Sequence, residues 1–594
     1  MVDPRPAFEP AVRLMRPLAL LALHAVFALL SACGGGDSGS GPDGLEAPQG
    51  ATLSVEPVKT FRFDWTDVEG ATHYQLLENP DGMAGFSQVG GDIPQGLGTA
   101  GLEVPLYARL NARYILQACS ASECVDADPL LVNGTLEAGV GYFKAGDTHA
   151  QDLFGSAVAL SADGQTLAVG AVGDTGAVYV FTREGGTWRQ AVVKADNAGA
   201  GDHFGSTLAL SPDGRTLAVG ATGEDSTGID DDRGDSDAGS DSGAVYLFTR
   251  GVDDTWRQQA MLKAGNAGAL DAFGVALALS ADGDTLAVGA FAEDSEATGI
   301  DGDPADSEAG TNSGAVYVYT RADGTWQPQA YIKADDTGAQ DFFGSAVALS
   351  KDGDTLAVGA FYKDGLAAAG QVPDATSAAG AVYVFVRESG AWRQQEMLRA
   401  SNAGGFDFFG SVVALSEDGD TLAVGAYNED SGATGIDGDQ ADSVAGSNSG
   451  AVYLFTRDSG VWQQQAYIKA GNTGAGDNFG IALALSADGQ ALAVGAPGED
   501  RSATGINGDP ANSGVGSAFG AAYVFARGSG AWRQQAYVKA SNTGAQDQFG
   551  VAVALSADGR ALAVGAIGEA SAATGVGGDQ ADDSVPGAGA VYLY

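Results

Sequence analysis

The sequence predicts an all-β chain, a seven-bladed β-propeller preceded by a small β-sandwich, and three observations predict it. A Phe-Gly pair opens a near-identical stretch at Phe154, Phe204, Phe273, Phe343, Phe409, Phe479 and Phe549, at spacings of 50, 69, 70, 66, 70 and 70 residues. Self-similarity at such a period marks a repeat architecture, in which each copy buries its apolar faces against its neighbours. Within each copy, short alternating or apolar runs are joined by tight-turn signals, the pattern of strands and hairpins. The segment from Ala51 to Val132 has strand patterning of its own and no copy elsewhere, so it forms a separate unit.

Composition fits this. With 44% hydrophobic side chains over 594 residues the chain can bury more than one core, so neither its 90 glycines nor its acidity implies wholesale disorder. The formal charge of -46 repels nucleic acid and anionic lipid surfaces and favours solubility and divalent cations. Nucleic-acid partners are therefore excluded from the expectation.

Residues 1–33 carry Arg5, Arg13 and Arg16, then the apolar run LALLALHAVFALL, then small residues before Cys33. This is a signal segment. Its end, Leu30-Ser31-Ala32-Cys33, resembles the lipobox of bacterial lipoproteins, which implies lipidation of Cys33 after cleavage; an ordinary cleaved signal with an incidental cysteine is the alternative. By the same resemblance Gly34 points to the outer membrane or cell surface, with membrane contact through the lipid only. Residues 34–50 are a Gly/Ser/Pro-rich tether.

In residues 51–135, alternation in Phe61-Arg62-Phe63-Asp64-Trp65 and Tyr114-Ile115-Leu116-Gln117-Ala118 reads as half-buried strands. The placing of Trp65, Tyr74 and Tyr114 resembles a fibronectin type III sandwich, implying Trp65 as core tryptophan and Tyr114 at a tyrosine corner. Cys119 and Cys124 suit a disulfide pinning a hairpin in an exported protein; the rival, a metal site, lacks histidines nearby.

Residues 138–594 are the repeat region. In the third copy strand one is Val275 to Ser280, strand two Thr285 to Gly289, strand three Ala315 to Thr320 and strand four Trp326 to Lys333. The first hairpin turns at Asp282-Gly283, and the same Asp-Gly lies nine residues after the Phe in all seven copies. Strand three, as in Val316-Tyr317-Val318-Tyr319, is apolar on both faces, which suits a sheet packed between two others. Strand four is more polar and accommodates Pro328, so it is the outer edge. Four-stranded units stacked radially make a propeller. The seventh copy stops after strand three at Tyr594, while Tyr142 to Gly155 aligns with Tyr537 to Gly550. Residues 138–146 are therefore expected to pair with 590–594, closing the ring and removing two open edges.

Phe479-Gly480 followed by Gly495-Ala496-Pro497 resembles the FG-GAP repeat of the integrin α-subunit propeller and its bacterial relatives; other copies keep Gly-Ala, as in Gly289-Ala290-Phe291. The resemblance implies that Gly-Ala permits close packing of blades and that the Phe fills the core between them. In that family the first hairpin carries a calcium loop. Here Ser280-Ala281-Asp282-Gly283-Asp284 offers too few of the six to eight oxygens calcium takes, and reads as a plain turn.

Strand parity puts the connections from strand two to three, and from strand four to the next strand one, on one face. The first kind includes long acidic inserts. Asp230, Asp232, Asp301, Asp303, Asp306, Asp437, Asp439, Asp442, Asp509 and Asp579 are the candidate calcium ligands there, and solvated acidic loops fit the same residues equally well. An Asp also stands two residues before every Phe-Gly, from Asp152 to Asp547, where a backbone-capping turn accounts for it. Arg233-Gly234-Asp235 is the tripeptide integrins bind, in a Gly/Asp-rich loop where chance produces it readily. The six tryptophans that open strand four, from Trp188 to Trp532, read as packing residues or as a sugar-stacking belt. No Ser/His/Asp or metal-hydrolase set can be assembled from the four histidines, so the chain reads as non-enzymatic. The expectation is a monomeric, lipid-anchored adhesion-type module contacting a protein or glycan through one acidic face, with calcium assistance; the alternatives are a carboxylate-using hydrolase or lyase and a structural envelope assembly factor.

Overall fold

The computed structural model describes residues 44–173, 176–197, 199–226, 240–304, 311–364, 377–441, 447–509 and 517–594. The signal segment with Cys33, nearly all of the tether, and Arg233-Gly234-Asp235 lie outside them.

The N-terminal region is two sheets face to face. One orders Gln49–Glu56, Thr60–Thr66 and Thr99–Glu103; the other orders Ser87–Pro94, His73–Asn79, Arg113–Cys119 and Cys124–Asp126, with Leu130–Leu131 also on Arg113–Cys119. Alternate residues of the central strands, Phe61, Phe63, Trp65, Tyr74 and Tyr114, fill the space between. Cys119 and Cys124 are bonded across their hairpin. Tyr114 departs from the tyrosine-corner expectation: its hydroxyl donates 2.7 Å to the Glu78 carboxylate. The tyrosine hydroxyl that meets upstream backbone is that of Tyr74, which accepts the Val68 N–H at 2.6 Å. The reason is register: Tyr114 pairs directly with Glu78 across the sheet, so the carboxylate is its nearest acceptor.

Behind it stand seven four-stranded antiparallel sheets. In blade 3 these are Ala276–Leu279, Thr285–Ala290, Ala315–Ala322 and Thr325–Ile332, hydrogen-bonded in chain order. Each core lies between blades. Val316 and Val318 pack toward blade 4, against Phe343, Val358 and Tyr383, whereas Tyr317 and Tyr319 pack toward blade 2, against Val245 and Leu247. That is why strand three is apolar on both faces. The Phe of each Phe-Gly meets two strand-three rings edge-on, as Phe273 does Tyr317 at 5.4 Å and Tyr319 at 6.2 Å.

The Gly-Ala glycine is dictated by contact. A Cβ on Gly289 would lie 2.0 Å from the carbonyl oxygen of Gly344 in the next blade, and the same approach recurs around the ring to Gly565 against Gly155, at 2.1 Å. At the other face the Asp-Gly hairpins link blade to blade. Ala281 donates to Lys351 O, Lys351 to Glu417 O, Glu417 to Ala487 O, Ala487 to Ala557 O, Ala557 to Ala162 O and Ala162 to Pro212 O. The series breaks only after Pro212, which has no N–H to pass on.

Blade 7 is completed from the other end of the repeat region. Gly141–Phe143 pairs antiparallel with Ala590–Leu593, placing Tyr142 opposite Tyr592. The N-terminal region rests on this closure: Lys59 N–H donates to Gly139 O, Lys59 Nζ to Arg560 O and the Tyr107 hydroxyl to Gly559 O.

Candidate binding face

The face carrying the strand two-to-three inserts is built from short, heavily bonded connections. Every Asp two residues before Phe-Gly accepts a backbone N–H three positions upstream, from His149 to Asp152 at 2.7 Å through Gly544 to Asp547 at 2.6 Å. The residue between Asp and Phe is left-handed in every copy, as at Leu153 (φ 53°) and Asn478 (φ 54°). These aspartates are turn caps. Burial pushes the carboxyl of Asp477 up to about 7, with the Glu499 charge adding to it, and that of Asp547 up to about 6.

Among the described residues, five blades hold a buried ion pair that the sequence reading missed. Glu293, at the start of its insert, meets Lys333 Nζ at 2.6 Å, with both side chains at 1% exposure or less. Glu293 also accepts from Tyr331 Oη at 2.8 Å, Asn266 Nδ2 at 2.9 Å and Ser295 Oγ at 3.2 Å. Equivalent pairs are Glu224–Lys263, Glu429–Lys469, Glu499–Lys539 and, across the ring closure, Glu569–Lys144. Desolvation lowers the pKa of each lysine, opposed by its glutamate. A signal existed: copies with Glu three residues after Gly-Ala end strand four in Lys. Copy 4 has Lys363 and Arg399 in those places, and in copy 1, which lacks the Glu, Lys194 is exposed.

The recurring insert motif Thr-Gly-Ile turns back onto strand four of its own blade. Ile300 bridges Ile332, Ile436 bridges Ile468 and Ile506 bridges Val538. The outer edge is thus partly covered by the insert. Asp301 and Asp437 serve this contact, each accepting the N–H of a strand-four tyrosine, Tyr331 at 3.0 Å and Tyr467 at 2.9 Å. Asp439 and Asp579 cap the N–H groups of Ala441 and Ala581. Asp303 and Asp509 are exposed. Asp230, Asp232, Asp306 and Asp442 lie outside the described residues. Among the described residues no three His, Cys, Asp or Glu side chains converge as a metal site would require. The hairpin aspartates are occupied too: Asp282 accepts from Ser280 Oγ at 2.5 Å and from Asp284 N–H at 2.9 Å.

The strand-four tryptophans pack between blades. Trp326, Trp392 and Trp462 are buried under Arg321, Arg387 and Arg457, at 5.3 to 5.5 Å, and Trp392 and Trp462 donate to Gln329 and Gln395 of the preceding blade. His149 and His203 sit in exposed connections between strand four and the next strand one.

The FG-GAP repeat matches this chain over residues 141–181, 188–248, 256–319, 326–385, 392–455, 462–525 and 532–594. No curated protein sequence matches. Among solved structures, a putative 6-phosphogluconolactonase from Bacteroides uniformis is similar at 12% identity, covering 79% of this chain and 97% of its own, with a TM-score of 0.38. The WD40 repeats of RRP9 are similar at 8% identity over 76% and 96%, with a TM-score of 0.42. Neither likeness is close enough to bear on function.

Proposed function

The chain belongs to the FG-GAP repeat family, and from that premise we propose that it is a non-enzymatic binding module holding a protein or glycan against its insert-bearing face. One observation carries the reading: the scaffold side chains are consumed internally, and the copies differ mainly in the inserts and the residues flanking them. Phe-Gly, Gly-Ala, Asp-Gly and the capping Asp recur in every copy and are engaged within or between blades. The distinctive carboxyls, Asp477 and Asp547, are buried turn caps, which speaks against a general acid or base open to substrate.

Lipid attachment at Cys33, to the outer membrane or cell surface, belongs to the same proposal, with residues 34–50 as tether. The N-terminal region is read as a fibronectin type III-like spacer, supported by its two-sheet arrangement and by Trp65 packed on Tyr74 at 5.1 Å. Calcium assistance at the insert aspartates belongs to the same proposal, although among the described residues no three acidic side chains converge.

Two sets of substitutions test the reading against isolated envelope material. One changes exposed insert-face residues, Asp303→Asn, Asp439→Asn, Asp579→Asn and Phe406→Ala; the other changes the opposite face, Lys351→Ala with Glu417→Ala. Binding lost only with the first set is expected. Binding lost only with the second, or no binding by the unaltered protein, would overturn it.

A further inference from the structure

On the insert-bearing face, two positions recur in each copy: the residue before Phe-Gly and the residue after Gly-Ala. In blades 1, 2, 6 and 7 they are aliphatic, small or polar, for example Val172, His203, Asn478 and Ile567. Across blades 3 to 5 all of them except Ala272 are aromatic, and these rings touch in series. Phe291 meets Phe342 at 5.5 Å, Phe342 stacks on Phe361 at 5.4 Å and 11°, Phe361 meets Phe408 at 5.6 Å, and Phe408 meets Tyr427 at 5.5 Å. Tyr362 stacks on Phe408 at 5.8 Å, and Phe406, 49% exposed, abuts both. None of these rings belongs to an inter-blade core, and apart from Phe406 they are half-buried. A contiguous, partly exposed aromatic patch of this kind is a candidate interaction site.

The turn that carries Phe342, Phe406 and Phe408, with φ of 53°, 64° and 60°, is left-handed at the same positions in all seven copies, so the backbone is common to the ring and only the side chains set blades 4 and 5 apart.

Charge narrows the ligand. In blade 4 the recurring Glu is replaced by Lys363, whose Nζ lies 2.8 Å from Asp341 and 3.3 Å from Asp336. The patch is therefore locally compensated on a chain of charge -46. An anion is repelled by the molecule as a whole, and the carboxylates of Asp341 and Asp336 are already held by Lys363. What remains is an uncharged ligand that presents flat C–H faces to the negative faces of the rings and hydroxyls to the polar surroundings. Building on the proposed binding function, we infer that the aromatic track across blades 3 to 5 binds a neutral saccharide chain.

The test uses the whole exported protein, calorimetric titration with neutral glucans, galactans, mannans and the neutral glycan fraction of the envelope, and the variants Phe361→Ala and Phe406→Ala. At least one saccharide is expected to bind, with affinity reduced tenfold or more in both variants. Phe406 is exposed enough that its variant keeps the fold, and an unchanged melting temperature checks this. Saccharide binding that ignores both variants would overturn the inference, as would oligolysine binding in place of sugar, or a dimer that Phe406→Ala dissolves. A blank saccharide panel with envelope binding that protease abolishes would overturn the saccharide alone; absence of any envelope binding would overturn the proposed function as well.

Discussion

Replacing Lys333 with Met isolates the cost of an unpaired charge inside blade 3. Glu293 is 1% exposed and bonded to Lys333 at 2.6 Å. Removing one partner of a buried pair costs ~3–5 kcal/mol, because the other charge stays desolvated. Glu293 keeps three neutral donors, from Tyr331, Asn266 and Ser295, which places the expected loss at the low end, ~3 kcal/mol. Glu293→Gln combined with Lys333→Met removes both charges and should cost ~1 kcal/mol, about 2 kcal/mol less than Lys333→Met alone. The protein has made a related exchange itself: copy 4 replaces both members, and copy 1 lacks the Glu and exposes its Lys194. The assay is native-state hydrogen exchange of peptides spanning 291–333, with urea unfolding for the global effect. If the single variant proves no more damaging than the double, the claim that desolvation governs this pair is refuted.

The raised carboxyl of Asp477 gives a pH prediction. Its native pKa is about 7 against 3.8 for the ordinary group, so its contribution to stability is complete below about pH 4 and is lost as pH rises through about 7. Asp477→Asn keeps an acceptor for the Gly474 N–H and should stabilise at pH 8 by up to ~4 kcal/mol, with no gain near pH 4; equal effects at both values in urea unfolding would contradict this. Gly289→Ala drives a methyl to 2.0 Å from Gly344 O and should lower stability by ~3 kcal/mol or more, measured by thermal unfolding. Deleting residues 138–146 removes the strand paired with Ala590–Leu593 and should lower the melting temperature and promote association, seen by light scattering; an unchanged, monomeric product would count against it.

The propeller was legible because its determinants are local and recur in every copy. Asp-Gly names a turn, Pro328 an outer strand, and Val-Tyr-Val-Tyr a sheet with two buried faces. The site was less legible because it depends on residues that meet only in space. Glu293 and Lys333 are 40 residues apart, and alone each looks like ordinary surface charge. Acidic spacing in the inserts suggested cation ligands, whereas Asp301 and Asp437 are spent on backbone N–H groups of strand four. Tyr114 showed the same limit: its type suggested a corner, and its register delivered it to Glu78.

The pairing of Gly141–Phe143 with Ala590–Leu593 sets an order of events. The strand that completes blade 7 leaves the ribosome long before the sheet it must join, and waits while six other blades are made. Holding that loop open costs little at equilibrium, since loop entropy grows only with the logarithm of length. In time it is expensive: until the last strand arrives, Gly141–Phe143 has no partner strand and blade 1 has no neighbour on one face.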